Sequence, residues 1–238
     1  MDYRFALGAA LLGYLLGAIS MARLIGRLFA PGDDLSSHEY PVLEDDKISL
    51  DIASATNVST KLGSKFGCLV GILDMLKVFV PVLALKLVFP ESPYYVIAAA
   101  TGVIGHNFPL YYRFKGGGGL SSALGGLLAV DWLAVLVTVP LGMLLGMAVI
   151  RDAYVASTLW LFLLIPWFWI RTQDWGHILY PAVMILSFLL ATLPLTRQYL
   201  RVRKKGPEAL QSFYEKFPMG RGLIKIGRLF GLYKNTRK

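Results

Sequence analysis

Long apolar runs constrain this chain more than any other feature. Residues 5–29, 66–89, 94–112, 132–150, 153–170 and 176–196 are each long enough, or nearly so, to cross a hydrocarbon core that needs about 20 helical residues. Residues 120–130 form a seventh, shorter run. The chain is 55% hydrophobic and only 16% charged, and the apolar residues are spread too evenly to leave a separate soluble domain. The expected fold is therefore all-α: a polytopic membrane domain of seven transmembrane helices, one of them short, over residues 1–203. A basic tail, 204–238, follows. The first run is long and lacks a small-residue cleavage site after a short apolar core, so it reads as a retained span, not a signal peptide.

The placement of charge gives an orientation. The formal net charge is +9. Most Lys and Arg fall between Arg23 and Lys65, at Arg113 and Lys115, at Arg151, and from Arg197 onward. The connections near Glu91, Asp131 and Asp174 are poor in cations, Arg171 apart. Basic and basic-poor segments alternate only if all seven runs cross. The positive-inside rule then sets the N-terminus outside and the C-terminus in the cytoplasm. The expected location is the plasma membrane, with the active face cytoplasmic. Juxtamembrane cations suit anionic lipid headgroups, so membrane lipid is the expected partner and nucleic acid is not. With Cys68 as the single cysteine, neither an intrachain disulfide nor a Cys-based metal site can form. No metal and no cofactor are expected.

Two polar segments stand apart. Residues 31–51 carry Asp33, Asp34, Glu39, Glu44, Asp45, Asp46 and Asp51, and read as a solvated, partly disordered cytoplasmic loop without Ca-loop spacing. In the tail, Leu223, Ile226, Phe230 and Tyr233 recur at helical spacing among Lys225 and Arg228. That pattern suits a basic amphipathic helix at the membrane surface, although Gly222, Gly227 and Gly231 weaken it.

Three segments could carry chemistry. Ser54 to Gly63 offers small hydroxyl and amide residues, with Asn57 and Lys61, at a helix start. Backbone N–H groups there can bind an anion, and the same pattern also makes an ordinary capped helix. Arg113-Phe114-Lys115-Gly116-Gly117-Gly118-Gly119-Leu120-Ser121-Ser122 sets four glycines beside two cations. Backbone without side chains can approach a phosphate closely there, although such a link can also be plain flexibility. No Gly-Lys-Ser/Thr follows, so it is not a Walker loop. Asp74 and Lys77, three apart inside the second run, share one helix face and read as a structural ion pair or as part of a site. His106, in Gly105-His106-Asn107-Phe108-Pro109, is the one histidine near these segments and the candidate catalytic group.

Taken in order, these pieces resemble the bacterial acyl-phosphate:glycerol-3-phosphate acyltransferases of the PlsY type over roughly residues 8–208. Tyr14-Leu15-Leu16-Gly17-Ala18-Ile19 resembles that family's YLLGSI. Ala55-Thr56-Asn57 matches the end of GSGNxGATN, and Leu73-Asp74-Met75-Leu76-Lys77 matches LDxxKG. Gly105 to Pro109 matches GHxFP, and Phe114 to Gly119 matches FKGGKG. Arg151 to Ser157 resembles RYVSLAS, and Gly206-Pro207-Glu208 the closing GxE. The resemblance implies seven spans and a reaction in which an acyl group passes from acyl phosphate to the 1-hydroxyl of glycerol 3-phosphate. It also implies a phosphate-binding role for Asn57, Lys61, Arg113, Lys115, Gly116, Gly117, Gly118, Gly119, Ser121 and Arg197, in a protein expected to be a monomer.

The sequence departs from that pattern at several polar positions. Leu50 and Ile52 stand at the motif serine and asparagine, Thr60 at an arginine with Lys61 beside it, and Gly118 at the lysine of GGKG. Thr196 and Tyr199 replace the His and Asn of HRxNI, and residues 33–49 look like an insertion. The alternative reading is a catalytically inactive PlsY-like membrane protein that binds lipid or acyl phosphate.

Overall fold

The computed structural model describes residues 1–33, 35, 37–43, 46–216 and 218–231. Its elements are α1 (Tyr3–Gly17), α2 (Met21–Phe29), β1 (His38–Leu43), β2 (Asp46–Leu50), α3 (Ala55–Leu62), α4 (Ser64–Val88), α5 (Tyr94–Asn107), α6 (Leu120–Val130), α7 (Trp132–Leu145), α8 (Ala153–Thr172), α9 (Trp175–Lys204), α10 (Pro207–Glu215) and α11 (Pro218–Leu229). A single turn of 3₁₀-helix covers Leu110–Tyr112, and a π turn, Gly146–Ile150, extends α7. Of the residues singled out in the sequence, Asp34, Glu44, Asp45 and Tyr233 lie outside the described ones.

The helical bundle has apolar side chains on both its inside and its outside. Val103, Leu127, Leu161 and Leu164 are fully buried, while Val80, Leu87, Leu136 and Ile170 are each more than half exposed on the outer surface. A surface of this kind is stable against lipid tails and not against water. Helices surrounded by lipid gain from close backbone approach rather than from burial, so small residues mark their contacts. A Cβ at Gly13 or Gly17 of α1 would run into the Ala98 and Gly102 backbone of α5, and one at Gly125 of α6 into Met75 of α4.

Five segments among the described residues are long and apolar enough to cross a membrane: Tyr3–Phe29, Ser64–Val88, Trp132–Ile150, Ala153–Thr172 and His177–Lys204. The first is not one straight helix. α1 stops at Gly17, and α2 restarts under a Ser20 cap whose hydroxyl accepts the Arg23 N–H at 3.4 Å. α5 ends at Asn107, short of the 94–112 span expected, because the Phe108-Pro109 step cannot continue it. Asp131 and Asp152 start α7 and α8 by accepting N–H groups of the first turn, from Leu133 and Ala134 and from Tyr154 and Val155.

The acidic segment is not a solvated coil. β1 and β2 form an antiparallel hairpin with Tyr40 opposite Ile48 and His38 opposite Leu50. Period-two alternation sends Tyr40, Val42, Ile48 and Leu50 inward, all buried, while Glu39 and Lys47 pair outside at 2.9 Å. Glu39 and Lys47 sit on the wet face and hide the alternation in the sequence. Nor does the tail lie free. Leu223 and Ile224 of α11 and Phe213 of α10 are buried against the hairpin and against Met147, Ala153 and Tyr199. The apolar stripe expected to face lipid therefore packs largely on protein.

Hairpin and tail together make a cap. Gln198 of α9 clasps Ser49 from both sides, accepting its N–H at 2.8 Å and donating to its carbonyl at 3.1 Å. Ser212 donates to the Val42 carbonyl at 2.5 Å, and Tyr40 meets Phe213 edge to face. The cap sits on the end of the bundle where α4, α6 and α8 begin and α5 and α9 finish.

Candidate active site

The site is built around a buried charge cluster. Asp74 and Lys77, one turn apart on α4, meet at 2.7 Å with both side chains about 95% buried. Lys77 Nζ also donates to the Ile19 carbonyl at 2.7 Å, in the break between α1 and α2, and lies 2.9 Å from His106 Nδ1. An ammonium has three donors and no acceptor. With Lys77 charged, His106 Nδ1 takes its third donor and a neutral ring carries its proton on Nε2; Asp74 stands 3.5 Å from the same Nδ1. This tautomer follows from the network. It directs the Nε2 side of His106 at Gly117 of the glycine strand.

The glycines are needed for contact with α5. Arg113 and Phe114 both adopt left-handed backbone, with φ of 52° and 61°. They turn the chain so that residues 115–119 run back along the end of α5, where Gly117 N–H donates to the His106 carbonyl at 3.1 Å. A Cβ at Gly116 would strike the His106 and Asn107 carbonyls, one at Gly117 the imidazole Nε2, and one at Gly119 the Asn107 amide. Gly118 alone has room, its Cβ position lying 3.4 Å from the Thr192 methyl. On the other side, Arg23 of α2 donates to the Lys115 carbonyl at 2.8 Å and stacks over Tyr112.

Two cavities flank this strand. The first, about 250 Å³, is lined by Asp74, His106, Gly118, Gly119 and Ser121 on its floor. Around them stand Leu50, Ile52, Ser54, Thr56, Tyr154, Ser157, Thr158, Thr192 and Tyr199, with Phe213, Tyr214 and Leu223 from the cap. Among the described residues no Lys or Arg lines it. The second, about 290 Å³, is lined by Lys115, Gly116 and Gly117 together with Ser49, Asp51, Asn107 and Gln198. Leu50, Ile52, Thr192 and Leu195 belong to both.

The other candidates from the sequence are dispersed. Asn57 is fully buried, and its amide donates to the Leu50 and Ile52 carbonyls at 2.9 and 3.0 Å and accepts from Tyr40 at 3.2 Å. It holds the end of the hairpin and leaves nothing for a phosphate. Arg113 and Arg197 are exposed and line neither cavity. Lys61 lines neither; it lies close enough to His38 that its charge, after burial, holds that imidazole below its ordinary range.

A second buried carboxylate escaped the sequence reading. Asp152, besides capping α8, accepts the Tyr199 hydroxyl at 2.6 Å and lies 3.3 Å from Arg203. Tyr199 in turn stacks on Tyr154, whose hydroxyl meets Thr196 at 2.8 Å. The signal was the i, i+4 spacing of Tyr199 and Arg203 and an Asp directly before an apolar helix.

An apolar helical bundle, a buried charge cluster at one end and a glycine strand between two cavities define a multi-pass membrane protein with its site at one end of the bundle. The chain belongs to the glycerol-3-phosphate acyltransferase family, whose model matches residues 7–204. It is 36% identical over 127 residues to the glycerol-3-phosphate acyltransferase of Aquifex aeolicus, covering 53% of this chain and 60% of that protein. It is 38% identical over 129 residues to that of Desulfotalea psychrophila, covering 52% and 57%. The alignments thus span little more than half of these curated relatives. The fold matches the crystal structure of the integral membrane glycerol 3-phosphate acyltransferase PlsY in its glycerol 3-phosphate form. The TM-score is 0.66 at 27% identity, over 82% of this chain and 92% of that one. The lysophosphatidic acid form of the same protein gives 0.65.

Proposed function

We propose that this protein transfers an acyl group from acyl phosphate to a hydroxyl of glycerol 3-phosphate or a related phosphorylated acceptor in phospholipid synthesis. The observation that carries the reading is the glycine strand between two unlike cavities, with His106 and Asp74 on one side and Lys115 on the other. Phosphate oxygens would lie against Lys115 and the N–H group of Gly116, and the reacting carbonyl beside Gly118, Gly119, Ser121 and His106. The acceptor oxygen forms the new bond to the acyl carbon, and the carbon–oxygen bond to phosphate breaks. Phosphate leaves with that electron pair and takes the hydroxyl proton, so no separate base is required. The Nε2–H of His106 stabilises charge as it develops, which matters more in a water-poor site than in solution. Arg113, Arg197 and Lys61, all outside the two cavities, would act on incoming anions over distance.

In the membrane, the capped end would face the cytoplasm, with the N-terminus outside and the short helices α5 and α6 completing seven crossings of the plasma membrane. The working unit would be a monomer. The test is purified protein in detergent, given acyl phosphate and glycerol 3-phosphate. Inorganic phosphate and lysophosphatidate should appear in equal amounts, and Gly117→Val, which drives a side chain into His106, should abolish both. Retained lipid without turnover, for the native chain and across several acceptors, would favour a binding protein instead.

A further inference from the structure

α10 and α11 lie beyond residues 7–204 matched by the family, yet they reach into the first cavity through Phe213, Tyr214 and Leu223. They do so in company with the hairpin, which supplies Leu50 to the same lining and Tyr40, Val42 and Ile48 to the cluster behind it. Neither piece can bury its apolar face alone: a two-stranded hairpin is marginal in water, and so are helices of 9 and 12 residues. Docked together on α9, they form a roof opposite the Asp74–His106 floor. Among the described residues the roof presents two aromatic rings, two leucines and no charged group to the space between.

We infer that this roof determines which nucleophile meets the activated acyl group, favouring the acceptor hydroxyl over water. The inference rests on the acyl-transfer reading above. An acyl phosphate is reactive enough for water to compete. In the wasteful reaction the water oxygen bonds to the acyl carbon, the bond to phosphate oxygen breaks, and free fatty acid and inorganic phosphate result. A lining of Phe213 and Leu223 above the floor excludes loosely held water, while an acceptor anchored through its phosphate on the Lys115 side can still present its hydroxyl. Phe213 and Leu223 are thus specificity-determining residues, contributed by the cap and not by the charge cluster.

The test measures two products from one donor. With acyl phosphate and glycerol 3-phosphate, the ratio of free fatty acid to lysophosphatidate should rise severalfold in Phe213→Ala and Leu223→Ala. It should return toward the native ratio in Leu223→Met. An unchanged ratio, including a parallel fall of both products, overturns the inference. A second measurement does not need turnover. In a Cys68→Ser background, Ser157→Cys puts a thiol in the cavity lining, and a charged thiosulfonate should label it faster once Phe213 or Leu223 is Ala. Equal labelling rates overturn the roof. Absence of phosphate release by the native protein overturns the acyl-transfer reading, and the labelling result then decides the roof by itself.

Discussion

Two buried aspartates at the same end of the bundle are handled in opposite ways. Asp74 is matched inside the protein by Lys77, a side chain 4% exposed, with His106 alongside. Asp152 is matched at the surface by Arg203, a side chain 48% exposed, and its other interactions are neutral: the Tyr199 hydroxyl and two backbone N–H groups. A buried charge whose counterion is also buried depends on that one partner, because water cannot replace it. A buried charge supported by several neutral donors and a wet cation tolerates the loss of any one of them. The difference also divides roles. The Asp74 cluster holds His106 at the cavity floor, while Asp152 fastens α9 to the start of α8.

The contrast can be broken at its strongest point first. Lys77→Met leaves Asp74 with no counterion but His106 and should cost about 3–5 kcal/mol, as removal of one member of a buried pair does. It would appear as a large drop in melting temperature in detergent. The double substitution Asp74→Leu, Lys77→Met should recover much of that loss. If the double variant melts no higher than the single one, the dependence of Asp74 on Lys77 is wrong. Tyr199→Phe keeps the stacked ring against Tyr154 but removes a hydrogen bond to a carboxylate. A cost of about 1.5–3 kcal/mol is expected, with the chevron or melt unaffected by salt. The smallest effect belongs to Arg203→Ala. Its half-exposed guanidinium should contribute only about 0.2–1 kcal/mol, and that contribution should fade in high salt. A loss from Arg203→Ala as large as that from Lys77→Met would erase the comparison. A further substitution sharpens the functional side: Gly118→Lys has room for its Cβ, and should lower KM for the phosphorylated acceptor while leaving the melting temperature near native.

These networks were unequally legible in the sequence. The Asp74/Lys77 spacing identified one helix face, because i, i+3 geometry is local. That His106 completes the cluster depends on how α4 and α5 pack, which no spacing encodes. The apolar runs announced the bundle, since hydrocarbon demands length and little else. The glycine strand was legible as a place of close approach, but what approaches three of its glycines is α5, not a ligand alone. The hairpin was obscured because Glu39 and Lys47 alternate with Tyr40 and Ile48, and acidity masked the period of two. For the tail, helical spacing revealed an apolar stripe but could not distinguish a lipid surface from a protein one. Asn57 carried the right residue type in a matching motif, yet its amide is engaged by the Leu50 and Ile52 carbonyls.

The cap also imposes an order on biosynthesis. Its halves are separated by more than 150 residues of sequence, and four of the five long apolar segments among the described residues lie between them. Chains emerge and fold from the N-terminus, so the hairpin is made early and must wait, with Tyr40 and Ile48 uncovered, until Phe213 and Ile224 have left the ribosome. The membrane bundle can insert in the meantime. The cavity is therefore finished after the bundle, and a nascent protein cannot acquire its roofed form before α10 and α11 are in place.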